Sequence, residues 1–211
     1  MLFQNRHDAA LQLLPHLEKY KNERAVVLAV PRGGVPIGYY IAKNYHLPLE
    51  LLLTKKIGHP LHEEFAIGAV SLQDYIIDER IKVSPSYIEN EIINIRNSLK
   101  ERYKKFMGNR TPIDVKERTV IIMDDGVATG HTLLAAIKMI QKHQPKKIIV
   151  AVPVAPLETA KKIAKEVDDF ICLHVLENFI GVGLYYSDFS QVSDEEVILM
   201  LKELNQIENI V

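Results

Sequence analysis

The sequence predicts an α/β fold, a mainly parallel sheet with helices on both faces. Short apolar runs recur at 26–30, 49–53, 120–123, 148–152 and 170–173. Continuous apolar character marks strands buried on both sides. The runs are interleaved with stretches whose apolar residues fall at helical spacing, the alternation that parallel strands need for their crossovers. With 211 residues, 47% hydrophobic and 25% charged, one domain over 1–211 with a sizeable core is expected.

The elements follow in order. Ala9, Leu13, Leu14 and Leu17 give a helix over 8–20, with Asp8 placed to cap it. The run 26–30 ends at Pro31-Arg32-Gly33-Gly34, and Pro36 then suits the first turn of a helix reaching about Tyr45. After 49–53 come Thr54-Lys55-Lys56 and a stretch, 57–65, whose Gly58 and Pro60 predict a mobile loop. Segments 66–71 and 75–78 read as shorter strands paired around Gln73-Asp74. Over 85–107, within a segment 84–108, Ile88, Ile92, Ile95, Leu99, Tyr103 and Phe106 step by 4, 3, 4, 4 and 3, one face of a long helix. That face must pack on the domain or form a homodimer interface, since left exposed it would aggregate. The run 120–123 leads through a glycine loop into a helix over 131–143, and a further helix over 156–166 separates the last two strands. Ser193-Asp-Glu-Glu196 forms a capping box for a terminal helix.

Charge and cysteine usage narrow the function. The 26 Lys and Arg nearly cancel the 27 Asp and Glu, so no global basic field points to nucleic acid and any anion site must be local. The clusters 19–24, 100–105 and 146–147 are shared with acids or isolated and read as solvated faces. The single cysteine, Cys172, cannot form an intramolecular disulfide; it reads as strand packing and fits a reducing, cytoplasmic setting. The first residues become charged too soon for a signal core, and no apolar run approaches the length of a membrane span.

The chemistry concentrates at 120–132. A buried strand delivers Asp124 and Asp125 to its carboxyl end, where open α/β sheets bind ligands. Gly126 through Gly130 then turn into a helix, so backbone N–H groups converge on one anion, with hydroxyls from Thr129 and Thr132 beside them. The loop lacks both the lysine of a nucleotide-triphosphate loop and the G-x-G-x-x-G spacing of a dinucleotide fold, which leaves a monophosphate as the guest. Two carboxylates next to a phosphate need hydroxyl or cation partners, and a ribose diol supplies them. Ribose 5-phosphate is the ligand these residues describe.

This segment, an apolar strand, two acids, a short loop and Thr-Gly-x-Thr, resembles the 5-phosphoribosyl pyrophosphate (PRPP) signature of type I phosphoribosyltransferases. The spacing of the other loops extends the resemblance over most of the chain. It implies a phosphoribosyltransferase-like fold with a small hood from the terminal segments. Asp124 and Asp125 would hold the ribose hydroxyls, and Gly126, Val127, Ala128, Thr129, Gly130, His131 and Thr132 would wrap the 5-phosphate. Arg32, Gly33 and Gly34 stand at the place of the pyrophosphate loop, where an arginine fork suits phosphate oxygens. Lys55 and Lys56, expected to end the next strand, would add charge there, with Lys56 the chosen one. The 58–64 stretch matches the catalytic lid in location, making Glu63 and Glu64 candidate bases. Its His59-x-x-His62 is not the H-E-x-x-H zinc pattern. Phe179 and Tyr186 would stack on the acceptor. Magnesium would come with PRPP, near Asp124 and Asp125 and without a protein cage of its own.

The implied reaction moves the phosphoribosyl group from PRPP to a nitrogen nucleophile, a nucleobase or related amine, releasing pyrophosphate. A module on the same fold that senses PRPP or a nucleotide without turnover is the alternative. Hypoxanthine-guanine members of the family carry an aspartate before the Thr-Gly of the signature; here that residue is Ala128, which cannot assist proton transfer.

Overall fold

The computed structural model describes residues 1–208. In chain order the elements are α1 (Arg6–Leu17), β1 (Ala25–Ala29), α2 (Gly34–Tyr45), β2 (Leu49–Leu51), β3 (Thr54–His59), β4 (His62–Ser71), β5 (Tyr75–Ile77) and α3 (Pro85–Met107). They continue with β6 (Thr119–Met123), α4 (His131–Gln141), β7 (Lys147–Pro156), α5 (Leu157–Ala164), β8 (Asp169–Leu176) and α6 (Asp194–Glu208). Five strands form one sheet in the order β2-β1-β6-β7-β8, every pair parallel.

The pleat explains why the central runs are apolar throughout. Val27, Ala29, Ile121, Met123, Ile149 and Ala151 enter the core shared with α1, α2, α3 and α6. Their neighbours Val26, Leu28, Val120, Ile122, Ile148 and Val150 enter the core under α4 and α5. Successive side chains point to opposite faces, and both faces are covered. No helix of the described residues is long and apolar enough to cross a membrane.

Three expectations change. The first helix is capped by Asn5, not Asp8: the Asp8 N–H donates to the Asn5 side chain at 3.0 Å, and the Asp8 carboxylate accepts from Gln4 N–H at 2.9 Å. This reciprocal arrangement satisfies two N–H groups and starts the helix at Arg6. The parallel strand of 49–53 ends at Leu51, so Lys55 and Lys56 do not emerge at its tip. The stretch 57–65 is not an irregular loop but the two arms of an antiparallel hairpin, β3 and β4, turning at Pro60-Leu61. β4 runs on into the pairing with β5, as expected around Gln73-Asp74.

The long helix α3 uses its apolar seam inside its own chain. Ile92, Ile95, Leu99, Tyr103 and Phe106 are buried, and the helix packs on β3, β4 and α6. Tyr103 donates to the buried Glu50 carboxylate of β2 at 3.0 Å, and Tyr87 donates to the Gly58 carbonyl at 2.9 Å, so α3 fastens the hairpin to the sheet edge. The Ser193–Glu196 box opens α6, with Glu196 N–H on Ser193 Oγ and Ser193 N–H on the Glu196 carboxylate.

Candidate active site

The loops after β1 and β6 lie side by side because those strands are sheet neighbours. After β6 the chain enters α4 through Gly130, whose φ of +70° is left-handed and whose absent Cβ would lie 2.7 Å from Thr159 Cγ2. Only glycine fits there. The loop is pinned from behind: Val127 N–H donates to Val154 O at 3.0 Å, and Thr159 Oγ1 donates to Ala128 O at 2.8 Å. The N–H groups of Ala128, Thr129, Gly130, His131 and Thr132 find no acceptor among the described residues. Ala128, Thr129, His131 and Thr132 are exposed. A run of free donors at a helix start is an anion cradle.

Asp124 and Asp125 follow β6 directly. Asp124 Oδ1 accepts the Asp125 N–H at 2.8 Å. Asp125 Oδ2 accepts a hydrogen bond from Arg6 Nε at 2.9 Å and forms an ion pair with its Nη2 at 2.8 Å, and Tyr186 donates to the Asp125 carbonyl at 2.6 Å. Each carboxyl therefore has one oxygen held by an N–H group and one, Asp124 Oδ2 and Asp125 Oδ1, that no N–H of the described residues reaches, and the two acid side chains lie within hydrogen-bond reach of each other. Neither is a buried orphan, since the only such side-chain atom among the described residues is Arg96 Nε. Burial, and then the negative charge of Asp125, push the Asp124 carboxyl well above the usual carboxylate range. Burial also raises Asp125, with Arg6 opposing it.

The loop Pro31–Gly34 faces this pair. A Cβ on Gly33 would sit 1.9 Å from Asp125 Oδ2, so the two loops touch through that glycine. The Pro31-Arg32 peptide is cis. Gly34 does not offer its N–H, which closes the turn onto Val30 O at 2.9 Å, whereas the N–H of Gly33 has no acceptor among the described residues. Arg32 is half-buried and reaches Asp194 at the start of α6 at 3.4 Å, an acid that Lys105 also holds at 2.6 Å.

Among the described residues, no hydrogen bond or ion pair links the hairpin residues to these loops. Lys56 pairs with the fully exposed Glu64 at 2.7 Å, and Lys55 and Glu63 are exposed on the same hairpin. Tyr186 is not an acceptor platform: at 2% exposure its ring is sealed between Phe3 and Phe189. The reason is the hood itself, in which residues 2–4 pair with 185–188 and bury the ring. Phe179 is half-buried against Tyr185. An apolar hollow of about 90 Å³, lined by Leu28, Leu52, Ile113 and Met139, lies against the second half of α4 and includes none of the acid or glycine loops.

Sequence reasoning missed Arg6 and the clamp role of the Tyr186 hydroxyl. The one local signal for Arg6 was its placement: a cation on the first residue of a helix opposes the helix dipole and needs an outside reason.

A parallel sheet that sets an acidic pair, a free N–H loop and a second glycine loop side by side at its carboxyl ends defines a phosphoribosyltransferase-type domain. Residues 5–189 match the phosphoribosyl transferase domain model, and the chain belongs to that family. A Mycobacterium tuberculosis protein provisionally named a phosphoribosyl transferase is 33% identical over 205 residues, covering 95% of this chain and 46% of its own length. The chain thus spans about half of that relative. The crystal structure of TT1426 from Thermus thermophilus is 34% identical with a TM-score of 0.86, covering 97% of this chain and 99% of that one. The uracil phosphoribosyltransferase of Ureaplasma urealyticum is 39% identical over 74 residues, 34% of this chain and 33% of its own.

Proposed function

We propose that the protein transfers a 5-phosphoribosyl group from PRPP to a nitrogen nucleophile and releases pyrophosphate. The observation that carries this reading is the pair of carboxyl oxygens on Asp124 and Asp125 that no N–H of the described residues reaches, beside the free N–H groups of 128–132. One set fits a diol, the other a phosphate, and ribose 5-phosphate has both. Arg32 and the Gly33 N–H are placed to take the charge that gathers on the departing pyrophosphate. In the reaction the bond from ribose C1 to the pyrophosphate oxygen breaks, a C1–nitrogen bond forms, and the nitrogen loses its proton.

The hairpin serves as the lid in this reading. An exposed ion pair such as Lys56–Glu64 is screened by solvent and weak enough to release Lys56 to pyrophosphate and Glu64 or Glu63 to the acceptor proton. Closure would exclude water from the oxocarbenium-like centre. Magnesium fits as a companion of PRPP, whose own oxygens with water suit its preference, beside Asp124 and Asp125. Bound there, it would neutralise pyrophosphate charge. The lone Cys172 supports a cytoplasmic setting. The family match and the short uracil-enzyme likeness support a nucleobase or related amine as acceptor.

The test is pyrophosphate release from PRPP and magnesium with a panel of nucleobases and amines. Release dependent on one acceptor supports transfer. PRPP binding without release for any acceptor favours the sensing alternative.

A further inference from the structure

Arg6 occupies a place that helix physics alone disfavours. It is the first residue of α1, where free N–H groups already carry partial positive charge, and its side chain is only 12% exposed. Its compensation is an outside set of partners. Nε and Nη2 both reach Asp125 Oδ2, Nη1 donates to Ser190 O at 2.8 Å, and the guanidinium carbon lies 4.0 Å over the Phe189 ring. The fork is therefore fixed in position and plane by three different groups.

Both Arg6 contacts end on one oxygen. No N–H of the described residues reaches Asp125 Oδ1, Gly33 walls the Oδ2 side, and the Tyr186 hydroxyl holds the main chain of the same residue. A carboxylate anchored by one oxygen cannot swing about its terminal bond, and the other oxygen keeps a single direction. We propose that Arg6 is a positioning residue for the sugar: it locks Asp125 Oδ2 so that Oδ1 is aimed at a ribose hydroxyl, and preference for a hydroxylated sugar depends on it. This rests on the phosphoribosyl reading above. Arg6 does not touch the sugar, and it belongs to a different part of the chain from the phosphate cradle of 126–132.

The test compares binding of ribose 5-phosphate, its 2-deoxy and 3-deoxy analogues, and inorganic phosphate by calorimetry. Wild-type protein should prefer ribose 5-phosphate over one deoxy sugar by about tenfold or more, the worth of a hydrogen bond to a charged group. Arg6→Gln should shrink that ratio to about threefold or less while leaving phosphate affinity unchanged, because lost aim affects only the hydroxyl. Arg6→Lys keeps the charge without the fork and should fall between. A wild-type ratio in folded Arg6→Gln overturns the assignment, as does equal weakening of every ligand, phosphate included. Should Arg6→Gln not fold, Arg6→Lys decides, and an undiminished ratio there overturns it. If wild-type protein binds phosphate but does not distinguish the three sugars, the ribose reading itself fails, a different result from a ratio that survives loss of Arg6.

Discussion

Gly33→Ala probes the contact between the two loops most sharply. The new Cβ would lie 1.9 Å from Asp125 Oδ2 and 2.4 Å from its Cγ. Ordinary contact needs about 3.5 Å, so a gap of roughly 1.6 Å must open. If the 31–33 loop yields, the cost is that of overpacking, about 1–3 kcal/mol. If Asp125 yields, its hydrogen bond at 2.9 Å and ion pair at 2.8 Å with Arg6 break. Separating a buried pair costs about 3–5 kcal/mol, an upper bound here because Arg6 keeps Ser190 and Phe189. For a chain of this size each kcal/mol lowers Tm by about 2–4 °C, so the milder route predicts a fall of about 2–12 °C. Thermal unfolding measures it, and a magnesium-PRPP titration on the same variant should show weakened binding. Combining Gly33→Ala with Arg6→Gln tells the routes apart, since the two changes add if the loop moves and overlap if Asp125 moves. An unchanged Tm with unchanged PRPP affinity would refute the contact.

Asp124→Asn should trade ligand for stability. The folded carboxyl is raised by burial and by Asp125, so the native chain keeps a proton that the unfolded chain gives up, and stability falls as pH rises between those two pKa values. Urea unfolding should show the variant gaining on wild type as pH rises above the ordinary carboxylate range, and a gain that shrinks instead would contradict the sign. Arg32→Ala should weaken pyrophosphate more than ribose 5-phosphate, and Lys56→Ala should do the same, with Lys55→Ala as control; competition binding reads all three, and equal losses for both ligands would remove the division into subsites. With Ala128 where hypoxanthine-guanine enzymes carry an acid, hypoxanthine and guanine should be poor acceptors in a pyrophosphate-release assay. Efficient turnover of either, unaffected by replacing His62, Glu63 and Glu64 together, would overturn that prediction.

The central sheet was readable because burial on both faces writes itself as unbroken apolar runs, and 120–132 was readable because its chemistry is local in sequence. The hairpin was not. His59-Pro60-Leu61-His62 is polar, glycine- and proline-flanked and exposed, so its strands show no apolar alternation, and the register shifts around Gly58 blur the period further. Arg6 and Asp125 are 119 residues apart, a pairing that no local period can announce. Tyr186 looked like a free aromatic because nothing nearby shows that residues 2–4 come back to cover it.

Titration of magnesium-PRPP into wild-type protein and into the folded Asp124→Asn, Asp125→Asn double variant asks the deciding question. Saturable binding to the wild type, lost or cut by well over tenfold in the variant while inorganic phosphate still binds, is the expected result, since the hydrogen bonds of both acids to the sugar are removed and the phosphate cradle is not. Equal PRPP affinity in both proteins would contradict the assignment of the acidic pair to ribose.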